Sequence, residues 1–308
     1  MNHHMVPSGT APRRRHAPAV GAALGCGVLL LGAVAASPAA ADGGHGHRGE
    51  KYVALGDSYT SGPLIPRQVD ANCARSDQNY PSLVAAARKP GTFTDVSCSG
   101  ATTEHMWKAQ GTNGPQLNAL GRSTDLVTVQ IGGNDVGFSS IIGTCAALSA
   151  KDLTGAPCRQ YYNATGVDQL TLTILQTAPK LARVLRAVHD RAPHARVLVV
   201  GYPDLLPDDG SGCYPSVPFA AGDFPYLRDV GKRLNLVMRA VALFNHAGYV
   251  DTYKPTVGHD MCKAPADRWI EPLKPASPAA PAHPNAKGEA AMARAVLAQL
   301  SRGGGHRH

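Results

Sequence analysis

The chain has 308 residues, long enough for one large α/β domain or two small ones. Its formal net charge is +8, but three of the positive charges are Arg13, Arg14 and Arg15 near the N-terminus. Aromatic residues make up only 6% of the chain, and the sequence contains no arginine-rich stripe. This composition argues against a nucleic-acid-binding surface, so we expect no nucleic-acid partner.

The first 41 residues have the pattern of a secretory signal peptide. The basic segment Arg13–Arg15 precedes an apolar run from Val20 to Ala36, and Ala39–Ala41 supplies the small residues that signal peptidase needs. A membrane anchor is the alternative, but a spanning helix needs about 20 clean apolar residues, and this run is short and rich in glycine. We therefore expect cleavage near Ala41, a secreted (extracellular) protein and no stable membrane insertion. The paired arginines fit the twin-arginine export route as well as the general one.

Polar segments bound the expected domain on both sides. Residues 42–50 are glycine, histidine and charged residues with nothing apolar to bury, so they predict a flexible leader. Residues 302–308 form a polar tail whose histidines could chelate metal, although the composition favours a solvated end. The residues between them, 51–301, are expected to form a single domain.

Cysteine usage agrees with export. Cys26 lies in the signal segment, which leaves an even set of six in the mature chain. Six cysteines allow about 15 connectivities, and the low entropy cost of closing short loops favours neighbours in sequence. The expected disulfides are Cys73 with Cys98, Cys145 with Cys158, and Cys213 with Cys262. A metal site is not expected, because no two of the six have the short C-x₂₋₄-C spacing of a zinc site.

Short β-rich runs alternate with helical patterns along the mature chain. The predicted strands are Tyr52–Leu55, Thr92–Val96, Leu126–Ile131, Arg196–Gly201 and Tyr249–Asp251. The predicted helices are Val167–Arg191, Phe224–His246 and Ala286–Leu300. Residues 139–166 and the proline-rich stretch 264–284 are predicted to be irregular. The alternation predicts a parallel sheet covered on both faces, with ligands bound at the carboxyl ends of the strands.

The first strand leads directly into Gly56-Asp57-Ser58, which places Ser58 at the carboxyl edge of the sheet. Glycines on both sides of this serine let the backbone turn tightly, and the N–H of Ser58 can then point toward a substrate oxygen. The alternative is that Asp57 or Ser58 simply caps the N-terminus of a helix.

Four short blocks occur at predicted strand or helix ends: Gly56-Asp57-Ser58-Tyr59, Gly100, Gly132-Gly133-Asn134-Asp135 and His283-Pro284-Asn285. In this order they resemble the four blocks of the SGNH, or GDSL-type, hydrolases. The resemblance spans nearly all of the mature chain and is strongest to secreted actinobacterial esterases, lipases and phospholipases with three disulfides, which supports the expected pairing. It implies a three-layer α/β/α, flavodoxin-like fold with a central, mostly parallel five-stranded sheet.

The resemblance also implies the roles of individual residues. Ser58 would be the nucleophile, and the N–H groups of Ser58 and Gly100 would donate to the oxyanion together with the side chain of Asn134. For Asn134 without the other blocks, turn formation would be the better explanation, because Gly-Gly-Asn-Asp suits a loop. We expect Asp57 and Asp135 to have support roles, since an aspartate in a tight turn usually accepts from backbone N–H groups.

His283 is the expected general base, because a histidine can take the serine proton at neutral pH. His259 is the rival, and we interpret it as structural beside Cys262. Most relatives carry an aspartate three residues before the histidine, where it orients the imidazole, but this chain has Ala280 there. We therefore expect a backbone carbonyl, that of Ala280 or Pro281, to accept from Nδ1–H.

These features predict a secreted serine esterase or lipase that cleaves acyl esters through an acyl-enzyme on Ser58. The expected substrate is a small-molecule or lipid ester, with no cofactor and no metal, and the protein is expected to be a monomer. A carbohydrate O-deacetylase (acetyl esterase) is the main alternative, because the same blocks serve both chemistries. A non-catalytic secreted binding protein is a further alternative, but loss of Ser58, Asn134 or His283 would be its signature, and all three are present.

Overall fold

The computed structural model describes residues 49–302. The expected signal peptide, residues 42–48 of the expected leader and residues 303–308 lie outside the described residues. The fold begins slightly earlier than the predicted Lys51, because the carbonyl of Glu50 accepts a hydrogen bond from the N–H of Thr92 (3.2 Å) and its carboxylate accepts from Arg88 Nε (3.0 Å). At the other end, the last helix includes Arg302, which the sequence assigned to the tail.

A parallel sheet forms the centre of the molecule. The strands of the described region are β1 (Lys51–Gly56), β2 (Gln68–Asp70), β3 (Arg75–Ser76), β4 (Thr92–Asp95), β5 (Leu126–Gln130), β6 (Arg196–Val200) and β7 (Gly248–Val250). Five of them form the sheet in the order β4-β1-β5-β6-β7, with every neighbouring pair parallel. The short β2 and β3 pair separately and antiparallel. The five predicted strands are therefore confirmed, and their ends differ by at most one residue.

Helices cover both faces of this sheet. The α-helices of the described region are α1 (Ser58–Ser61), α2 (Tyr80–Arg88), α3 (Gly133–Val136), α4 (Phe138–Ser149), α5 (Pro157–Tyr162), α6 (Gln169–Arg191), α7 (Asp223–Phe244) and α8 (Ala286–Arg302). Alternate side chains of β1 point in opposite directions. Val53 and Leu55 join the core under α6 and α7, whereas Tyr52 and Ala54 join the core under α2 and α8. This arrangement confirms the predicted three-layer α/β/α fold. None of the helices within residues 49–302 combines the length and apolarity needed to cross a membrane.

The prediction that residues 139–166 are irregular was wrong, because α4 and α5 lie there. The buried stripe of α4 consists of Ile141, Cys145 and Ser149, spaced four residues apart. Since only one of the three is a large apolar side chain, hydrophobic periodicity does not reveal the helix. The proline-rich stretch 264–284 contains no helix or strand, as expected.

The structure contains the three disulfides that the sequence predicts. Cys73 is bonded to Cys98, Cys145 to Cys158, and Cys213 to Cys262. The first holds the loop after β4 against the segment around β2 and β3, where the N–H of Ser99 also donates to the carbonyl of Cys73 (2.9 Å). The second joins α4 to α5. All three therefore fix segments that follow the carboxyl ends of the strands.

Candidate active site

Ser58 lies in a tight turn between β1 and α1. Asp57 caps α1, because its Oδ1 accepts from the N–H of Tyr59 (3.0 Å), and Ser58 is the first residue of the helix. A Cβ atom at Gly56 would lie 2.1 Å from Oγ1 of Thr60, so only glycine lets the chain turn this closely. The capping interpretation thus applies to Asp57 and leaves the hydroxyl of Ser58 available for chemistry.

The imidazole of His283 meets this hydroxyl directly. Its Nε2 lies 2.7 Å from Oγ of Ser58, and its Nδ1 lies 2.7 Å from the carbonyl oxygen of Pro281. Because a carbonyl can only accept, the proton of the neutral ring is on Nδ1, and Nε2 accepts from the serine. Of the two carbonyls expected to orient the ring, the one in contact with Nδ1 is that of Pro281. The carbonyl of Ala280 instead accepts from the backbone N–H of His283 (3.2 Å).

Burial keeps this imidazole neutral. It lowers the pKa of His283 from 6.5 to about 4, and the hydrogen bond to Pro281 opposes the shift only in part. Tyr59 stacks on the ring with centroids 4.7 Å apart, and Phe138 meets it edge-on at 5.9 Å. At neutral pH the ring is therefore unprotonated and able to accept a proton.

Backbone hydrogen bonds fix the loop that carries His283. The N–H of Glu271 donates to the carbonyl of His283 (2.9 Å), and the N–H of Ala282 donates to the carbonyl of Glu271 (3.0 Å). The hydroxyl of Tyr59 donates to the carbonyl of Ala282 (2.6 Å). Tyr59, the residue after the serine, therefore holds the histidine loop as well as stacking on its imidazole.

Each of the three residues predicted to bind an oxyanion has a hydrogen-bond donor that is not used up within the described part of the protein. Within residues 49–302, the N–H groups of Ser58 and Gly100 have no hydrogen-bond partner. Gly100 has a φ of 77°, a left-handed conformation that favours glycine. Nδ2 of Asn134 donates to the carbonyl of Ala101 (2.9 Å), which ties Asn134 to the Gly100 turn and leaves its second N–H hydrogen free.

The two aspartates beside these residues make support contacts, in line with the expectation for them. The carboxylate of Asp135 accepts from the N–H (2.8 Å) and the hydroxyl (2.6 Å) of Thr103, so it joins α3 to the loop after Gly100. Asp57 accepts from the hydroxyl of Tyr202 (2.5 Å) besides capping α1. Burial raises the pKa of Asp57 to about 7, although the hydrogen bonds from Tyr202 and Tyr59 act in the opposite direction.

His259 makes no contact with this cluster. It donates from Nδ1 to the carbonyl of Asp267 (2.6 Å) and stacks on Trp269 with ring centroids 3.5 Å apart. Its own backbone carbonyl accepts from the N–H of Trp269 (2.9 Å). These contacts support the interpretation of His259 as a structural residue.

Three aromatic residues of the site, Tyr59, Phe138 and Tyr202, had no role predicted from the sequence. Phe138 and Tyr59 surround the imidazole, and Tyr202 contacts Asp57. A signal for Tyr202 was present, since Gly201-Tyr202-Pro203 directly follows β6 and so lies at the ligand-binding edge of the sheet.

An apolar cleft opens beside Ser58 and Asn134. Its empty volume, including the open mouth, is ≈ 920 Å³. The apolar side chains that line it include Val136, Phe138, Ile141, Leu206, Phe219 and Met261. Among residues 49–302, no group of three or more histidine, cysteine, aspartate or glutamate side chains is arranged to hold a metal ion.

Known proteins resemble this chain along most of its length. A model of the GDSL-like lipase/acylhydrolase family matches residues 54–291. Lipase 2 of Streptomyces coelicolor is 41% identical over 257 residues, which cover 81% of this chain and 85% of that protein. The crystal structure of phospholipase A1 from Streptomyces albidoflavus matches with a TM-score of 0.68 at 30% identity, covering 82% of this chain and 99% of that one. The extracellular lipase from Streptomyces rimosus has a TM-score of 0.66 at 29% identity, with the same coverage of 82% and 99%.

Replacing Asn134 by alanine is expected to lower kcat for a p-nitrophenyl ester by about 10²- to 10³-fold and to leave KM nearly unchanged. The reason is that a donor to the oxyanion acts mainly in the transition state. Steady-state kinetics of the purified variant measure both constants, and the exposed Asn118→Ala serves as control. A rise in KM with unchanged kcat would contradict the role of Asn134.

The imidazole of His283 is expected to stay neutral as the pH falls through 6.5 and to take up its proton only near pH 4, because burial disfavours its charged form. An NMR titration of histidine-labelled protein measures this, and the signal missing in His283→Asn identifies the residue. Protonation at pH 6.5 or above would show that burial does not lower the pKa of His283.

Proposed function

Because this chain belongs to the GDSL-like lipase/acylhydrolase family and is a carboxylic ester hydrolase, we propose that Ser58 and His283 form its catalytic dyad. The observation that carries the proposal is the pair of contacts made by one imidazole: Nε2 to Oγ of Ser58 (2.7 Å) and Nδ1 to the carbonyl of Pro281 (2.7 Å). These contacts give the ring the tautomer that a general base requires.

The reaction proceeds through an acyl-enzyme. Oγ of Ser58 attacks the ester carbonyl carbon while its proton passes to Nε2 of His283. The carbonyl oxygen becomes an oxyanion, which accepts from the N–H groups of Ser58 and Gly100 and from the side chain of Asn134. His283 then returns the proton to the departing alcohol. Water, deprotonated by the same ring, hydrolyses the acyl-enzyme by the same sequence of steps.

The carbonyl of Pro281 takes the place that a carboxylate has in a triad. It fixes the ring and accepts from the imidazolium that forms during attack, but it carries no full charge. The chain therefore functions as a Ser-His dyad whose imidazolium is stabilised by a dipole. Stabilisation by this dipole is weaker than by a buried carboxylate, so the oxyanion donors carry more of the stabilisation of the transition state.

The cleft favours an acyl chain of lipid type as substrate. Its lining is almost wholly apolar, so an alkyl chain entering from Ser58 gains hydrophobic free energy with each buried CH₂ group. Relatives named lipase and phospholipase A1 support the same substrate class. An acetyl group has a single methyl and would contact little of this apolar lining, so a carbohydrate O-deacetylase is only the second candidate.

We also infer that the protein acts outside the cell. The basic and apolar pattern of residues 1–41 supports export, and one similar structure is that of an extracellular lipase. The three disulfides suit an oxidising compartment. A monomer that binds a small-molecule or lipid ester, without a cofactor, is the form in which we expect it to function.

Ser58→Ala is expected to abolish both labelling by a fluorophosphonate probe and hydrolysis of p-nitrophenyl esters, because the hydroxyl that forms the acyl-enzyme is gone. Ser61→Ala is the matched control, since Ser61 lies in the same short helix, is buried and has an Oγ without a hydrogen-bond partner. Labelling followed by mass spectrometry of the modified peptide measures the outcome. Persistent labelling of Ser58→Ala would rule out this nucleophile.

In a series of p-nitrophenyl esters, kcat/KM is expected to rise from acetate toward medium chain lengths, because each added CH₂ enters the apolar cleft. Acetylated xylan, assayed in parallel by acetate release, is expected to react poorly. Activity confined to acetate, together with turnover of the xylan, would favour the deacetylase instead.

A further inference from the structure

The hydroxyl of Tyr202 joins the two turns that carry the candidate catalytic groups. It donates to Oδ2 of Asp57 (2.5 Å) and accepts from the N–H of Gly133 (2.8 Å). Asp57 directly precedes Ser58, and Gly133 directly precedes Asn134. A single buried oxygen atom therefore connects the turn of the nucleophile to the turn of an oxyanion donor.

The direction of these two bonds is fixed by their chemistry. The hydroxyl has one hydrogen, and the N–H of Gly133 can only donate, so that hydrogen points to Asp57 when Asp57 is ionised. Both bonds are then satisfied in one arrangement only. Gly133 adds an independent constraint, because a Cβ atom there would lie 3.0 Å from the hydroxyl oxygen of Tyr202. The absence of a side chain at this position lets the turn approach the hydroxyl.

Tyr202 is itself held firmly. Its N–H donates to Oδ1 of Asn235 and its carbonyl accepts from Nδ2 of the same residue, both at 2.8 Å. Its ring meets Tyr59 edge-on, with centroids 5.1 Å apart, and Tyr59 stacks on His283. Tyr202 therefore contacts direct neighbours of Ser58, Asn134 and His283. Its hydroxyl touches none of these three side chains.

We propose that Tyr202 is a positioning residue whose hydroxyl sets the distance between the Ser58 turn and the Gly133–Asn134 turn, and so aims the oxyanion donors at the reacting carbonyl. The inference rests on the proposed function of the site. A small error in that distance would weaken hydrogen bonds to the oxyanion more than it weakens binding of the substrate, because those bonds are fully formed only in the transition state.

Tyr202→Phe tests this, since it keeps the ring and removes only the oxygen. On a p-nitrophenyl ester of the preferred chain length, we expect kcat to fall about 10- to 100-fold with KM within about twofold. Tyr226→Phe is the matched control, because the hydroxyl of Tyr226 also donates to a carboxylate, that of Asp168 (2.9 Å), and neither residue lines the cleft. The control is expected to retain its kcat.

A double-mutant cycle with Asn134→Ala separates positioning from a general structural effect. If the hydroxyl acts by placing Asn134, its removal in the Asn134→Ala background is expected to cost less than about threefold in kcat. Fully additive losses, an unchanged kcat or a change confined to KM would each overturn the proposal. Circular dichroism and thermal melting of each variant accompany the kinetics.

Gly133→Ala provides a second route if Tyr202→Phe does not fold. It keeps the tyrosine and pushes the turn away from the hydroxyl by a few tenths of an ångström. The same loss of kcat, again non-additive with Asn134→Ala, supports the proposal, and retained kcat overturns it. The test of Ser58 stays separate, because wild-type labelling that disappears in Ser58→Ala upholds the dyad whatever Tyr202 does.

Discussion

The neutral imidazole of His283, held between the hydroxyl of Ser58 and the carbonyl of Pro281, is the interaction on which the proposed chemistry depends. A histidine without an acceptor on Nδ1 would rotate and populate both tautomers, and only one of them can take the serine proton. Here the peptide backbone provides the acceptor. A carbonyl has no protonation equilibrium of its own near neutral pH, so the orientation of the ring does not depend on the charge of a neighbouring acid.

A backbone carbonyl can orient the imidazole only if the loop that carries it is rigid. Hydrogen bonds between buried polar groups make this loop rigid. The carboxylate of Glu271 accepts from Nδ2 of Asn285 (2.8 Å), from Arg268 (3.1 Å) and from the N–H of Ala276 (2.9 Å). Although burial raises it, the pKa of Glu271 lies below its ordinary value because of these hydrogen bonds. Glu271 thus stays negatively charged. Its hydrogen bonds hold the irregular, proline-rich loop in place on both sides of His283.

Local sequence was enough to predict the layers of the fold and the contact between Ser58 and His283, but not the finer contacts around that pair. The strands could be predicted because each is a short β-rich run. The pairing of Ser58 with His283 could be predicted because both lie in family blocks, whereas the oxyanion roles of Gly100 and Asn134 stay proposals. Helix α4 was missed because its buried stripe combines apolar, thiol and hydroxyl side chains. The choice of Pro281 over Ala280, like the role of Tyr202, depends on backbone geometry and on contacts between residues far apart in the chain, and neither leaves a periodic signal.

Burial makes His283 a weak base in the resting protein, because the pKa of its ring is about 4. In the proposed mechanism the oxyanion raises the basicity of the ring during attack. Once negative charge forms beside the ring, the attraction between imidazolium and oxyanion favours protonation, and this attraction is stronger in an apolar cleft than in water. The same burial that keeps the free ring neutral therefore strengthens the ion pair that forms during attack. In the proposed mechanism, base and oxyanion donors act as one electrostatic unit. A scaffold that fixes the distance between their turns is then expected to control the rate more directly than one that strengthens only the base or only the donors.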